Sequence, residues 1–130
     1  VYNVKRIRPG SKKIIDGFKE IIVGFKRDAS FGPIIMVGFG GIYAEVFKDI
    51  KLEMGDLDLA RAKRLIKSLT SYPILAGARG QQVYNINQLA GVLVNIAQLA
   101  ADYPEIRELD INPLFIFKDK VAAADVRLIL

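Results

Sequence analysis

The sequence predicts an α+β domain, a largely antiparallel sheet with two main helices packed on one face. Three observations lead there. Short β-branched runs are separated by turn-sized polar or glycine-containing breaks, which suits hairpins rather than crossovers. The two segments with helical periodicity lie together in mid-chain instead of alternating with strands. The chain has 130 residues, 52% hydrophobic and 25% charged, the balance of one globular domain. A chain of this size buries about two-thirds of its unfolded surface, enough to build one core without disulfide or metal staples.

Residues 2–8 alternate Tyr2, Val4 and Ile7 loosely with polar residues and stop at Pro9-Gly10, predicting a first strand. Glu20-Ile21-Ile22-Val23-Gly24-Phe25-Lys26 and Pro33-Ile34-Ile35-Met36-Val37-Gly38-Phe39 are β-branched runs joined by the polar, glycine-ended stretch 27–32, which predicts an antiparallel hairpin. A further strand is expected over 42–48, continued by 50–54. Asp58 is placed to cap a helix in which Leu59, Ala62, Leu65, Ile66 and Leu69 recur at helical spacing before a stop at Tyr72-Pro73. After the loop Ala76-Gly77-Ala78-Arg79-Gly80, Asn85-Ile86-Asn87-Gln88 has the form of a capping box. It opens a second helix with Leu89, Val92, Leu93, Ile96, Leu99 and Ala100 on one stripe, ending at Tyr103-Pro104. Two apolar strands, 108–117 and 120–128, joined at Lys118-Asp119, complete the order β-β-β-β-α-α-β-β.

Composition narrows the chemistry. With no cysteine and no histidine, thiolate chemistry, imidazole base catalysis and a phosphohistidine relay within this chain are excluded. Carboxylates, amides, hydroxyls, Lys, Arg and backbone N–H groups remain. Nineteen Lys and Arg against fourteen Asp and Glu give a formal charge of +5, which suits an anionic partner such as a nucleotide. The excess gathers in Lys5, Arg6, Arg8, Lys12 and Lys13 and on the first helix in Arg61, Lys63, Arg64 and Lys67, where solvated positive faces are the plainer reading. Nucleic acid is not expected, because few aromatics interleave with these residues. No run approaches the roughly 18 apolar residues needed to span a bilayer, and the start lacks a signal-peptide pattern, so no membrane partner and a cytoplasmic location are expected. A first residue Val rather than Met fits a trimmed or excised segment.

The sharpest local signal is Glu108-Leu109-Asp110-Ile111-Asn112-Pro113-Leu114 followed by Ala124-Asp125-Val126-Arg127. In an extended strand Asp110 and Asn112 share one face, and Asp125 reaches the matching depth of the next strand if the turn lies at Lys118-Asp119. Two readings stay open on spacing alone. The three residues form a cluster of hard oxygen ligands, of the kind magnesium takes together with phosphates and water. Alternatively, Asp110 and Asn112 bond local backbone while Asp125 pairs with Arg127 or Arg107. The glycines at 38, 40 and 41 allow close backbone approach to a ligand but match neither a P-loop nor a dinucleotide fingerprint.

These motifs, with Glu20-Ile21-Ile22-Val23-Gly24, the stretch from Phe31-Gly32-Pro33 through Gly38-Phe39-Gly40-Gly41-Ile42-Tyr43-Ala44-Glu45-Val46, and Gly77-Ala78-Arg79-Gly80, together resemble the ATP-grasp region of ADP-forming acetyl-CoA synthetase and its acyl-CoA relatives. More distantly the chain is similar to the β subunit of succinyl-CoA synthetase. The resemblance covers nearly the whole chain, but its match before Glu20 is broken by an apparent insertion over 7–17. It implies the carboxy-terminal lobe of an ATP-grasp domain, 1–130 as a single lobe with the first lobe absent, and Mg2+ with ATP or ADP as cofactors. Asn112 and Asp125 take the positions of magnesium ligands. Asp110 takes the acidic position of the acid-x-Asn signature, as a third ligand or as the catalytic acid of phosphoryl transfer. Glu20, Gly40, Gly41, Glu45 and Arg127 fall in the nucleotide- and phosphate-binding part; a salt bridge is the alternative for Arg127. No precise role is attached to Arg27, Asp28 or Arg79.

The expected partners are the first ATP-grasp lobe, a CoA-binding alpha subunit or domain, and the nucleotide. Half of a nucleotide clamp leaves the transferring phosphoryl group open to water, so the isolated chain is expected to be inactive and to tend toward self-association. The alternative is a non-catalytic subunit-association module derived from the same fold. The cluster Asp110, Asn112 and Asp125 favours the enzyme reading.

Overall fold

The computed structural model describes residues 17–41 and 48–130. The strand expected over 2–8, the basic cluster Lys5 to Lys13 and most of the strand expected over 42–48, including Glu45, lie outside these residues. The elements are β1 (Lys19–Asp28), β2 (Gly32–Phe39), β3 (Ile50–Met54), α1 (Leu59–Lys67), α2 (Tyr72–Leu75), a 3-10 turn (Ala78–Gly80), α3 (Ile86–Asp102), β4 (Glu108–Ile116), β5 (Val121–Ala123) and β6 (Val126–Ile129). All strand pairings are antiparallel, in the order β3-β2-β1-β4, with β5 and β6 sharing the far side of β4.

The β1–β2 hairpin forms as expected, but its turn is tighter than the polar stretch suggested. Pairing runs from Ile21 opposite Phe39 to Asp28 opposite Gly32, leaving three residues in the turn. Asp28 closes it by accepting hydrogen bonds from the amides of Ser30 (2.8 Å) and Phe31 (3.0 Å), and Gly32 takes the positive φ of 72° that follows. Alternate residues of the hairpin face the helices: Ile21, Val23, Phe25, Ile35, Val37 and Phe39 are buried against Ala62, Leu65, Ile66, Leu89, Leu93 and Ile96. The two main helices thus cover one face of the sheet.

Both helices start as their sequences require and depart elsewhere. Asp58 accepts from the Arg61 amide at 2.7 Å and caps α1. The helix ends at Lys67, earlier than the expected stop, and Tyr72-Pro73 opens α2 instead, because a proline in the first helical turn has no amide to leave unsatisfied. Arg61 is not part of a solvated basic face; it reaches back to Glu53 (2.6 Å) and to the carbonyls of Asp56 and Met54, fastening α1 to the end of β3. Asn85 caps α3 through the Gln88 amide (3.1 Å), but the box does not close. The Gln88 carboxamide turns away to accept from the Val121 amide (3.0 Å) and donate to the Asp119 carbonyl (3.4 Å), joining the helix to the β4–β5 turn.

The last strand is expected as one and is two. Against β1, the register of β4 advances three residues, from Ile111 to Leu114, while β1 advances two, from Val23 to Ile21. The extra residue falls at Asn112-Pro113, where proline has no amide for the ladder, and the peptide before it is cis. On the other side of β4 the break is matched: β5 pairs with 114–116, β6 with 108–111, and Ala124-Asp125 between them bonds the bulge itself, Ala124 N–H to Pro113 O (3.0 Å) and Asn112 N–H to Asp125 O (3.1 Å).

Two features set the stability of this frame. Gly24 lies so close to β4 that a Cβ built on it would strike the Leu109 carbonyl. Asp49, at the start of β3, is the buried charged residue among those described, and its two oxygens accept the amides of Thr70 (2.8 Å) and Ser71 (2.7 Å). Burial by itself would raise its pKa; the bonds from Ser71 and Thr70 outweigh it and hold the carboxyl below its ordinary value. Gly24→Ala is expected to cost more than about 2 kcal/mol, read as a shift in the urea midpoint. Asp49→Ala is expected to cost about 1–3 kcal/mol at neutral pH by orphaning two amides. Because the folded pKa is depressed, the Asp49 contribution is complete above the unfolded carboxylate value of 3.8 and fades as pH falls below it; the stability gap between wild type and variant narrows there.

Candidate functional site

The second face of the sheet carries no helix among the described residues, and of the predicted site residues Glu20, Asp110 and Arg127 fall at the strand positions of that face. Its rows follow from the register. One runs Leu52, Met36, Gly24, Asp110, Arg127 across five strands; the next runs Met54, Ile34, Lys26, Glu108, Ile129. The β2–β3 side of this face is apolar, with Leu52 62% and Met54 50% exposed and Ile34 and Met36 half-buried. The β4–β6 side carries the charges.

Asp110 sits in the middle of the face opposite Gly24, half-buried. Burial pushes its carboxyl above the ordinary carboxylate value; Arg127, its partner on β6, pulls it down, and Glu108 and Asp125 add to the rise. The bulge at Asn112-Pro113 brings Asn112 level with Asp125 through their backbone hydrogen bond, and both residues are exposed. Asp110, Asn112, Asp125 and Arg127 therefore gather on two adjacent strands, as the count from the Lys118-Asp119 turn implied. No group of three or more His, Cys, Asp or Glu side chains suited to a metal occurs among the described residues. The local set is two carboxylates and an amide, all oxygen donors. Such a set fits a hard divalent cation that draws its remaining ligands from phosphate and water, and a cation would offset the smaller part of the rise at Asp110, the part that Glu108 and Asp125 add to burial.

Glu20, Gly40 and Gly41 form a second group. Glu20 lies four residues from Gly24 along β1, about 13 Å from the Asp110 row by strand rise. The Gly40 amide donates to the Glu20 carbonyl (2.9 Å), and Gly41, with a φ of 62°, lies against the Glu20 carboxylate so closely that a Cβ there would meet it. The missing side chains thus make room for Glu20 as well as for any ligand. Glu20 stands opposite Phe115, whose ring contacts Phe18 edge to face at 4.7 Å. Glu45 lies outside the described residues. Arg79 is exposed in a left-handed conformation (φ 59°) on the loop before α3, a segment separate from both groups in sequence and in the sheet.

A cavity of about 290 Å³ opens beside Asp110, bordered by Lys26, Ile34, Met36, Leu52 and Glu108 and reaching the Arg27-Asp28 end of the hairpin. Sequence reasoning passed over these residues. The signal was present in the hairpin, whose strands are apolar at nearly every position; such runs belong to sheets covered on both faces, while the helices predicted here cover only one.

Comparison with known proteins gives the family. Residues 9–130 match the family model described as ATP-grasp domain. The chain is 45% identical over 104 residues to the beta subunit of ADP-forming acetate–CoA ligase I of Pyrococcus furiosus, an alignment covering 80% of this chain and 45% of that subunit. It is 40% identical over 119 residues to ADP-forming acetate–CoA ligase I of Archaeoglobus fulgidus, covering 92% of this chain and 17% of that enzyme. Among solved structures it superposes with a TM-score of 0.81 and 32% identity on the dinucleotide-forming acetyl-coenzyme A synthetase 1 of Candidatus Korarchaeum cryptofilum, in complex with coenzyme A and Mg-AMPPCP, over 86% of this chain and 53% of that one. The chain spans about half the length of the Pyrococcus subunit and of the Korarchaeum chain. With its α+β fold, its open sheet face and a family match over nearly its whole length, the chain belongs to the ATP-grasp domain family, as found in ADP-forming acetate–CoA ligases.

Proposed function

We propose that residues 1–130 are the carboxy-terminal, magnesium- and nucleotide-binding lobe of an ADP-forming acyl-CoA synthetase, which interconverts acyl-CoA, ADP and phosphate with acid, CoA and ATP. The observation that carries the reading is the uncovered sheet face, on which Asp110 lines a cavity with an apolar wall, with Arg127 its partner on β6 and the bonded pair Asn112 and Asp125 next along the ladder. An apolar wall beside a patch of oxygen ligands suits a ligand with a flat ring at one end and metal-bound phosphates at the other. Asn112 and Asp125, with Asp110, would hold Mg2+, which neutralises charge on the phosphates when bound. Arg127 meets a phosphate oxygen, and Asp110 stands where a carboxylate orients the transferring group. Glu20, Gly40 and Gly41 line the far end of the nucleotide cleft, and the resemblance assigns Glu45 to the same nucleotide-binding part.

The rest of the clamp lies outside these 130 residues: the first ATP-grasp lobe, which closes over the open face, and a CoA-binding alpha subunit or domain. The length relation to the relatives supports this division, as does the exposed apolar surface of β3. The chain alone does not turn over, because phosphoryl transfer needs a water-excluding site. It works in the cytoplasm; no helix among the described residues is long and apolar enough to cross a membrane.

Calorimetric titration with magnesium-ADP and magnesium-ATP tests the reading. Magnesium-dependent binding is expected, and Asn112→Ala combined with Asp125→Ala should abolish it. If the chain stays silent even after a first-lobe polypeptide is added, the subunit-association module is the better description.

Asp110→Asn separates stability from function at the same position. A raised folded pKa means that the ionised carboxylate destabilises the empty fold above that pKa and that the penalty disappears once pH falls below the unfolded value. The variant should therefore be more stable than wild type at neutral pH, by under about 1 kcal/mol, with the difference shrinking in acid. It should also bind magnesium-ADP more weakly. Melting curves across pH, paired with the titration, read both effects.

A further inference from the structure

Arg27 is the last-but-one residue of β1 and lies outside the ligand groups described above, yet its side chain is committed to a single corner of the fold. Its Nε donates to the Ile106 carbonyl (2.9 Å), and its Nη2 donates to the carbonyls of Ala100 (2.8 Å) and Tyr103 (3.2 Å). Its own amide donates to the Arg107 carbonyl (3.0 Å), and the guanidinium carbon lies 5.4 Å from the centre of the Phe25 ring. The carbonyls of Ala100 and Tyr103 belong to the C-terminal end of α3, where main-chain acceptors lack helical partners and the helix dipole is negative. Ile106 and Arg107 are the corner from which β4 departs, and the Arg107 amide donates to Ile129 O at the end of β6 (2.8 Å). One planar side chain therefore joins the end of β1, the end of α3 and the start of the β4–β6 ladder.

The ligand-bearing residues hang from that corner. Asp110 is three residues along β4 from Arg107, and Arg127 is two residues before Ile129 on β6. Toward the other end, the ladder is interrupted by the bulge at Asn112-Pro113, which leaves the short stretch 108–111 to fix Asp110 against Gly24 and Arg127. At the bulge itself the stretch is held by the bonds of Asn112 to Asp125 and of Ala124 to Pro113; at its other end the Arg27 corner is the anchor.

We propose that Arg27 is a positioning residue of the metal site: it fixes the β4–β6 ladder against β1, and so sets where Asp110, Asn112 and Asp125 stand. The link to metal binding rests on the function proposed above; the mechanical part does not. Lysine keeps the charge but loses the fork that satisfies three carbonyls at once, which makes Arg27→Lys the informative variant and Arg27→Met the severe one.

The experiment is amide hydrogen exchange on the full chain, wild type against Arg27→Lys, with magnesium-ADP titration alongside. Exchange at the Arg107 and Asn112 amides, which bond Ile129 and Asp125 across the ladder, should quicken about tenfold in the variant. The amides of Phe39 and Tyr84, bonded to Asp49 and Leu75 elsewhere in the fold, should change little. Uniform quickening at all four amides, or none, overturns the proposal, since the first marks a purely global effect and the second no effect. If Arg27→Lys does not fold, Arg27→Gln, which keeps a planar donor to the Ile106 carbonyl, is measured in the same way. Where wild type binds magnesium-ADP, the variant should bind at least about tenfold more weakly, and equal affinity overturns the role in the metal site. A wild-type chain that binds no magnesium-ADP while showing the selective exchange defeats the nucleotide reading and leaves the positioning role of Arg27 supported.

Discussion

The pairing of β1 with β4 is the constraint on which the rest depends. It joins the hairpin at one end of the sequence to the strand carrying Asp110 and Asn112 at the other, and it is the pairing with the longest sequence separation among the described strands. Loop-closure entropy over such a span has to be met by well-formed contacts. Gly24 lets the two backbones approach, Ile21, Val23 and Phe25 bury against the helices, and the bulge at Asn112-Pro113 absorbs the register difference. Remove that pairing and the charges on β4 and β6 have no apolar partner surface on β2 and β3 to stand beside.

Much of this was legible in the residues. Hairpin β1–β2, the Asp58 and Asn85 caps and the burial stripe of α3 each follow from short-range chemistry that the chain carries within a few positions. The departures share a cause, competition from groups distant in sequence. Gln88 abandons its own helix terminus because Val121 and Asp119 offer better use of its amide. The final strand breaks because a proline 11 residues earlier bulges the strand beside it. Tyr72-Pro73 reads as a stop and as a start with equal right, since proline both ends a preceding helix and suits the first turn of the next.

The site was legible in a different way. A turn count was enough to put Asn112 level with Asp125, and Asp110 next to them opposite Arg127. It did not reveal that Lys26, Met36 and Leu52 complete the surface, because those residues reach Asp110 only through the register of three further strands. Asp110 itself is under tension: burial raises its pKa, Glu108 and Asp125 add to the rise, and Arg127 opposes it.

The bulge has one more consequence, for how the sequence is free to change. Asn112 and Asp125 are tied to each other directly across β4 and the β5–β6 break, by a hydrogen bond that does not pass through the intervening turn. Residues 118–120 are exposed, and their bonds, from the Phe117 amide to Lys120 O and from Gln88 to Asp119 O, do not involve Asn112 or Asp125. Insertions at that tip would lengthen the loop at small entropic cost while leaving the facing pair Asn112 and Asp125 bonded, which insulates the pair from drift in the segment that links them.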